Sequence, residues 1–426
     1  MGFAQGVSGL NASASNLDVI GNNIANSGTI GFKSGSVQFS DVYAGSRVGL
    51  GTQVAGVAQN FTSGAVQTSS RALDVAITNG DGFFRLASPG GEVAYSRNGQ
   101  FNMDKDGFIV NSAGLRLTGY PVGANGSVAG GSPEALQLAT ASMPPSSTLN
   151  IAAQFNLDSR SIAPAATPFD ATNSGTYNYA NAVTVYDSLG NSHELSTFFV
   201  KDPAQTPPVN TWQVYATADG KPLTSTGAIA TGTPPAATAL ATGGLTFDDN
   251  GKLKAGSPIV LAGGKINLAG LDFGNGSAPM GFDIDVTGTT QFGNVNDVKK
   301  LTQDGFTSGV LTSYAINQDG TVTGKYSNEQ ATALGQVVLS SFVNPNGLQS
   351  KGDNVWAETA ASGQPLTGTP GAGTKMGALT SGALEASNVD LTSELVNLII
   401  AQRTYQANAQ TVKTQDQVMQ TLVNMR

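Results

Sequence analysis

The sequence predicts a mixed fold: paired N- and C-terminal α-helices, coiled-coil-like, enclosing two nested all-β domains in an elongated molecule. Three observations carry this expectation. The C-terminal stretch places Leu391, Leu395, Leu398, Gln402, Tyr405, Ala409, Val412, Asp416, Met419 and Val423 at heptad spacing, with Ile399 and Leu422 widening the stripe. The N-terminal stretch repeats that spacing in Phe3, Val7, Leu10, Ala14, Leu17, Gly21 and Ile24, with Ile20 reinforcing it. Between them lie short alternating runs punctuated by Gly, Asn and Asp. Two seams at opposite ends imply one bundle, with the rest of the chain an excursion between them.

The elements follow in order. Residues 1–28 read as a helix that stops where Asn26, Ser27 and Gly28 supply turn chemistry. Residues 29–70 are polar and Gly-rich with weak alternation (Val54, Val57, Phe61, Val66), which suggests an extended arm with some strand. From Leu73, short strands alternate with Asn-Gly and Asp-Gly turns, as at Asn79-Gly80 and Asp106-Gly107. The inner β-domain is thus assigned to 71–143 and 301–370. An inserted outer β-domain takes 144–300, entered at Met143-Pro144-Pro145-Ser146, with its clearest hairpin pairing 183–186 against 195–200. Residues 222–244 read as long surface loops or a mobile tip, a Gly/Thr/Pro linker from about residue 363 to 382 runs back toward the last helix, and 371–387 is assigned as the second linker arm. In the terminal helical domain, 1–28 and 388–426, the closing helix has Asn388 or Asp390 as N-cap. No Pro or Gly interrupts residues 389–424, a rod of about 54 Å at about 1.5 Å per residue.

Composition narrows the function. Charged residues are 12% of the chain, about half of the roughly 25% usual in soluble domains, so the surface is built largely from hydroxyls and amides. A net charge of −8 without basic clusters argues against nucleic acid, and nothing at the N-terminus reads as a cleavable signal or a membrane insertion. With no Cys and one His, disulfides and thiolate metal sites are excluded and a zinc or haem centre is not expected; no cofactor is implied. The outer helix faces carry Ser8, Asn11, Ser15, Asn22, Gln406, Gln410, Gln417 and Gln420 in place of charges. In a homopolymer every charge risks meeting its own copy, whereas amides and hydroxyls donate and accept to whatever they meet. Both termini are therefore expected to be mobile in a free subunit and to order when neighbours cover them.

Several motifs then align. Ala25-Asn26-Ser27-Gly28-Thr29-Ile30-Gly31-Phe32-Lys33-Ser34 resembles the signature of the rod and hook proteins of the bacterial flagellum. Gly80-Asp81-Gly82-Phe83-Phe84, Tyr95-Ser96-Arg97-Asn98-Gly99 and Gly119-Tyr120-Pro121 resemble the inner β-domain of that family. Val183-Thr184-Val185-Tyr186-Asp187-Ser188-Leu189-Gly190-Asn191 is similar to the insertion domain of its hook members. Gly352-Asp353-Asn354-Val355-Trp356, then Gly382-Ala383-Leu384-Glu385-Ala386-Ser387-Asn388-Val389-Asp390-Leu391, and Ala401-Gln402-Arg403-Thr404-Tyr405-Gln406 complete the match. The resemblance implies a non-enzymatic structural subunit of the hook, a helical tubular homopolymer that transmits torque through a flexible joint. It implies export by the flagellar type III apparatus without signal cleavage, an extracellular location, and rod, hook-cap and hook–filament junction proteins as partners. Signature residues Ala25, Asn26, Thr29, Gly31, Phe32 and Lys33 carry over by position. Without Cys, the Cys cross-link of some hook proteins is ruled out. A distal rod subunit is the alternative within the family, and a secreted β-rich adhesin the alternative from another class.

Other motifs have plainer readings. Asp104-Lys105-Asp106-Gly107 lacks the ligand positions of a calcium loop and reads as a hairpin turn, as does Asp248-Asp249-Asn250-Gly251. His193-Glu194 reads as a solvated strand rather than an acid/base pair, and residues 123–131 as a flexible loop. Trp212 and Trp356 read as core or interdomain anchors.

Overall fold

In the computed structural model, residues 2–42, 49, 51–123, 128, 130–138, 142–202, 210–230, 238–240, 244–254 and 265–424 are described. The chain divides into two compact units. One comprises Met1–Thr140, Leu311–Lys325 and Ala331–Arg426; the other comprises Ala141–Val310 and Tyr326–Gln330.

The first unit opens with α1 (Gly2–Ala25) and closes with α2 (Leu391–Asn424). Asp390 is the N-cap of α2, its carboxylate accepting from the Thr392 and Ser393 amides at 2.9 and 3.3 Å. Strands β1 (Gly35–Asp41) and β2 (Thr52–Gln59) form an antiparallel hairpin with a bulge at Gln38/Phe39. Asn23 ties α1 to it, donating to the Gly35 carbonyl at 2.8 Å and accepting from the Gly35 amide at 2.9 Å.

The main sheet of this unit interleaves early and late chain. Strand Ala331–Val337 pairs with Arg116–Pro121, and Val355–Ala357 with Val93–Ser96. Phe84, Phe101, Leu117, Val337 and Leu379 lie in its core. Parts of the predicted linker on the way back to α2 are paired strand. Leu366–Gly368 lies against Leu339–Ser341, Ala378–Ser381 against β4 (Val75–Thr78), and Ala383–Glu385 against β3 (Val66–Thr68). The Gly residues that suggested a loop serve as corners between these pieces, Gly377 and Gly382 having φ of 87° and 67°.

The predicted seam lies only partly at the helix contact: Val412 Cγ2 faces Gly6 and Ile20 is buried, whereas the other described seam residues are exposed or half-buried. Phe3 and Val7 are exposed while Leu10, Leu17 and Ile24 are only half-buried; Leu391, Leu395, Tyr405 and Met419 are exposed, and Leu398 and Val412 half-buried. The close approach of α1 lies one residue, about 100°, from the heptad positions, at Gly6, Gly9 and Ser13, with Ile20 of the predicted stripe also buried. A Cβ on Gly6 would lie 2.8 Å from Val412 Cγ2, and one on Gly9 2.8 Å from the Asn408 side chain. Asn408 donates to Ser13 Oγ at 3.4 Å and Asn23 to Glu394 Oε1 at 3.1 Å, while Ala401 is buried. Small and polar side chains let the backbones approach and match donors to acceptors; the bulky apolar ones other than Ile20 and Val412 stay exposed or half-buried. The Leu422 side chain lies outside the described residues.

In the second unit, strand Asn150–Asp158 runs parallel to Met280–Asp285 and Thr290–Phe292 and antiparallel to Asp297–Gln303. A second sheet pairs Tyr179–Tyr186, Ser192–Lys201 and Thr211–Ala218, with Val183 opposite Leu195. Their core holds Trp212, Phe155, Phe199 and Phe282. Of the stretch 222–244, Leu223 and Leu240 are buried in this core rather than at a mobile tip, and residues 231–237 and 241–243 lie outside the described residues. Most of the predicted loop 123–131 lies outside them too, at 124–127 and 129.

Candidate functional site

Six separate stretches of the first unit converge where α1 ends and α2 begins. Ala25 ends α1. Asn26 then folds the exit, accepting from the Thr29 amide at 3.0 Å through its carbonyl and from the Thr29 hydroxyl at 3.1 Å through Oδ1. Gly31 takes φ +70° and donates its amide to the Glu385 carbonyl at 2.8 Å; a Cβ there would stand 2.7 Å from the Asn98 nitrogen. Phe32 is half-buried, its amide bonding back to Thr29 at 3.3 Å.

Lys33 is the centre of the junction. Its Nζ donates to Glu385 Oε1 and to the Thr62 carbonyl, both at 2.7 Å. Arg97 Nη1 reaches Glu385 Oε2 at 3.3 Å while Nη2 donates to the Gly80 carbonyl at 3.0 Å. The Lys33 and Arg97 side chains are 0% and that of Glu385 1% exposed, so two cations share one carboxylate out of solvent. Burial lowers the proton affinity of Lys33, with Glu385 opposing that pull and Arg97 adding to it. Glu385 Oε1 also accepts the Gly64 amide at 2.8 Å. Three residues further on, Asn388 accepts from the Ser34 amide at 2.8 Å and donates to the Asn60 carbonyl at 2.7 Å. Trp356 closes the side of the junction, its indole N–H on Gln59 Oε1 at 2.8 Å and its ring against Phe61 and Phe83.

The predicted signature residues from Asn26 to Lys33 therefore meet at this junction, whereas of the predicted seam Val412 lies against Gly6 of α1. Arg97 and Glu385 stood inside quoted motifs without being singled out, and Asn388, read as a candidate N-cap, instead ties Ser34 to Asn60. Charges set within Gly-rich and apolar motifs of a chain with only 12% charged residues were the available signal. His193 was misread: it is buried, not solvated. Its Nδ1 lies 2.7 Å from Asp219 Oδ2, its Nε2 3.3 Å from Asp187 Oδ2, and its ring stacks on Phe273 at 3.5 Å. Phe273 covers the ring, and the carboxylates take up both nitrogens. Asp104 and Asp248 close turns, each carboxylate accepting backbone amides two and four residues on.

Comparison with known proteins places this architecture among the axial proteins of the flagellum. Residues 5–33 match the flagella basal body rod protein family, 76–163 the flagellar hook protein FlgE/F/G D1 domain, 156–306 the flagellar basal body protein FlaE D2 domain, and 380–425 the flagellar basal body rod FlgEFG protein C-terminal family. The chain is 48% identical to flagellar hook protein FlgE of Salmonella typhimurium over 431 residues, covering 100% of both. It is 48% identical to that of Escherichia coli over 430 residues, again 100% of both, and 33% identical to that of Borreliella burgdorferi over 461 residues, 99% of this chain and 98% of the other. Among solved structures, Helicobacter pylori flagellar hook protein FlgE2 matches at TM-score 0.48 and 13% identity, over 75% of this chain and 99% of that one. The chain belongs to the flagellar hook protein family, a family of structural proteins rather than enzymes. Among the described residues no helix is long and apolar enough to cross a membrane.

Proposed function

We propose that this chain is the structural subunit of the flagellar hook, a helical tubular homopolymer that acts as a flexible joint passing torque from rod to filament. One observation supports it above all. The two terminal helices meet through small and polar residues and leave their bulky apolar residues outward, with Leu395, Ile399 and Ile400 of α2 at 44, 50 and 57% exposure and Phe3 of α1 at 51%. Apolar stripes of this kind are covered by neighbouring copies, so the assembly residues are Phe3, Val7, Leu10, Leu17, Ile24, Leu391, Leu395, Leu398, Tyr405, Val412 and Met419. On this reading the helices form the coiled-coil-like inner core and the two β-domains, nested between them in sequence, form the outer layers. Export through the flagellar type III apparatus, growth beneath a hook cap, and end contacts with rod and hook–filament junction proteins belong to the same reading. Full-length relatives and the match at 156–306 favour hook over rod.

The test is negative-stain electron microscopy under salting-out conditions, comparing the full chain with one lacking residues 1–28 and 388–426. Tubes from the full chain alone support the proposal. A monodisperse full chain under every polymerising condition contradicts it.

A further inference from the structure

We propose that Glu385 is a latch that makes seating of the N-terminal segment conditional on arrival of the C-terminal return strand of the same chain. Lys33 and Glu385 are 352 residues apart, and Arg97 and Glu385 288 apart, yet all three side chains share one solvent-free site. Without Glu385 the site holds two like charges, Lys33 and Arg97, and the Gly64 amide loses its acceptor. The Gly31 amide, which bonds the Glu385 carbonyl, loses its partner at the same time. Asp81, the other charge that acts on Arg97, is itself exposed and cannot replace a buried carboxylate. Residues 29–34 can therefore settle only once residues 383–388 are in place, so α1 is presented beside α2 only by a chain with both ends present. The latch acts within one chain and stands whatever assembly the helices enter.

The charge count makes the test asymmetric. Glu385→Gln and Lys33→Met remove the same 2.7 Å ion pair. Lys33→Met leaves Arg97 and Glu385 as a neutral pair, and the Thr62 carbonyl keeps Asn388 Nδ2 at 3.2 Å. Glu385→Gln leaves two unpaired buried cations. Amide hydrogen exchange of residues 29–35 in the monomeric full chain reads the difference. Protection falls about a hundredfold or more in Glu385→Gln and stays within about threefold in Lys33→Met, and adding Lys33→Met to Glu385→Gln restores at least about tenfold. Equal losses in the two single variants, or unchanged protection in Glu385→Gln, overturn the latch. If Glu385→Gln does not fold, the double variant decides: recovery of the fold supports the latch and failure to recover overturns it.

Discussion

Gly31 shows how much one atom costs at the junction. Its φ of +70° disfavours any L side chain, and the Asn98 backbone sits where a Cβ would go. Gly31→Ala is expected to destabilise the first unit by about 1–3 kcal/mol, read in denaturant melts followed at Trp356, and to leave the Trp212 signal of the second unit in place. At Asp187, burial pushes the carboxyl toward protonation, and hydrogen bonds from Asn191, Asn275 and His193 outweigh it and hold the group below the usual aspartate range. A depressed carboxyl contributes stability that is full above about pH 3.9 and drains as pH falls through the lower folded value. Asp187→Asn should therefore lower stability of the second unit at neutral pH and flatten its acid limb, measured by Trp212 fluorescence between neutral and strongly acidic solution. The signature itself was legible from residues 25–34. Its partners were not, because an ion pair spanning 352 residues leaves no local periodicity to read.

Among elements, both terminal helices and the hairpin of Tyr179–Tyr186 with Ser192–Lys201 were legible from heptad spacing, strand alternation and the Asp187 turn. The contact face was not. A heptad stripe reports that a helix has an apolar side, and Gly6, Gly9 and Ser13 score as weak positions although a close helix crossing needs small residues. The return strands were obscured for a related reason: Gly377 and Gly382 look like linker residues in sequence and act as corners between paired strands. Asp390→Ala removes two capping bonds and should cost about 0.5–2 kcal/mol, seen as faster amide exchange in the first turn of α2 with the β-core unaffected.

For the whole molecule, the chain has a charge-poor surface, helices joined by a polar contact, and apolar stripes turned away from it. Neutral hydroxyl and amide surfaces exchange partners without the fixed registers that ion pairs impose, which suits a tube that bends as it turns. On the proposed reading the outward stripes, not the α1–α2 contact, drive assembly. The most direct measurement is electron microscopy of the full chain carrying Leu395→Gln and Ile399→Gln, with circular dichroism on the same sample. A folded monomer of unchanged helix content that forms no tubes is expected. Normal tubes from this variant would contradict it.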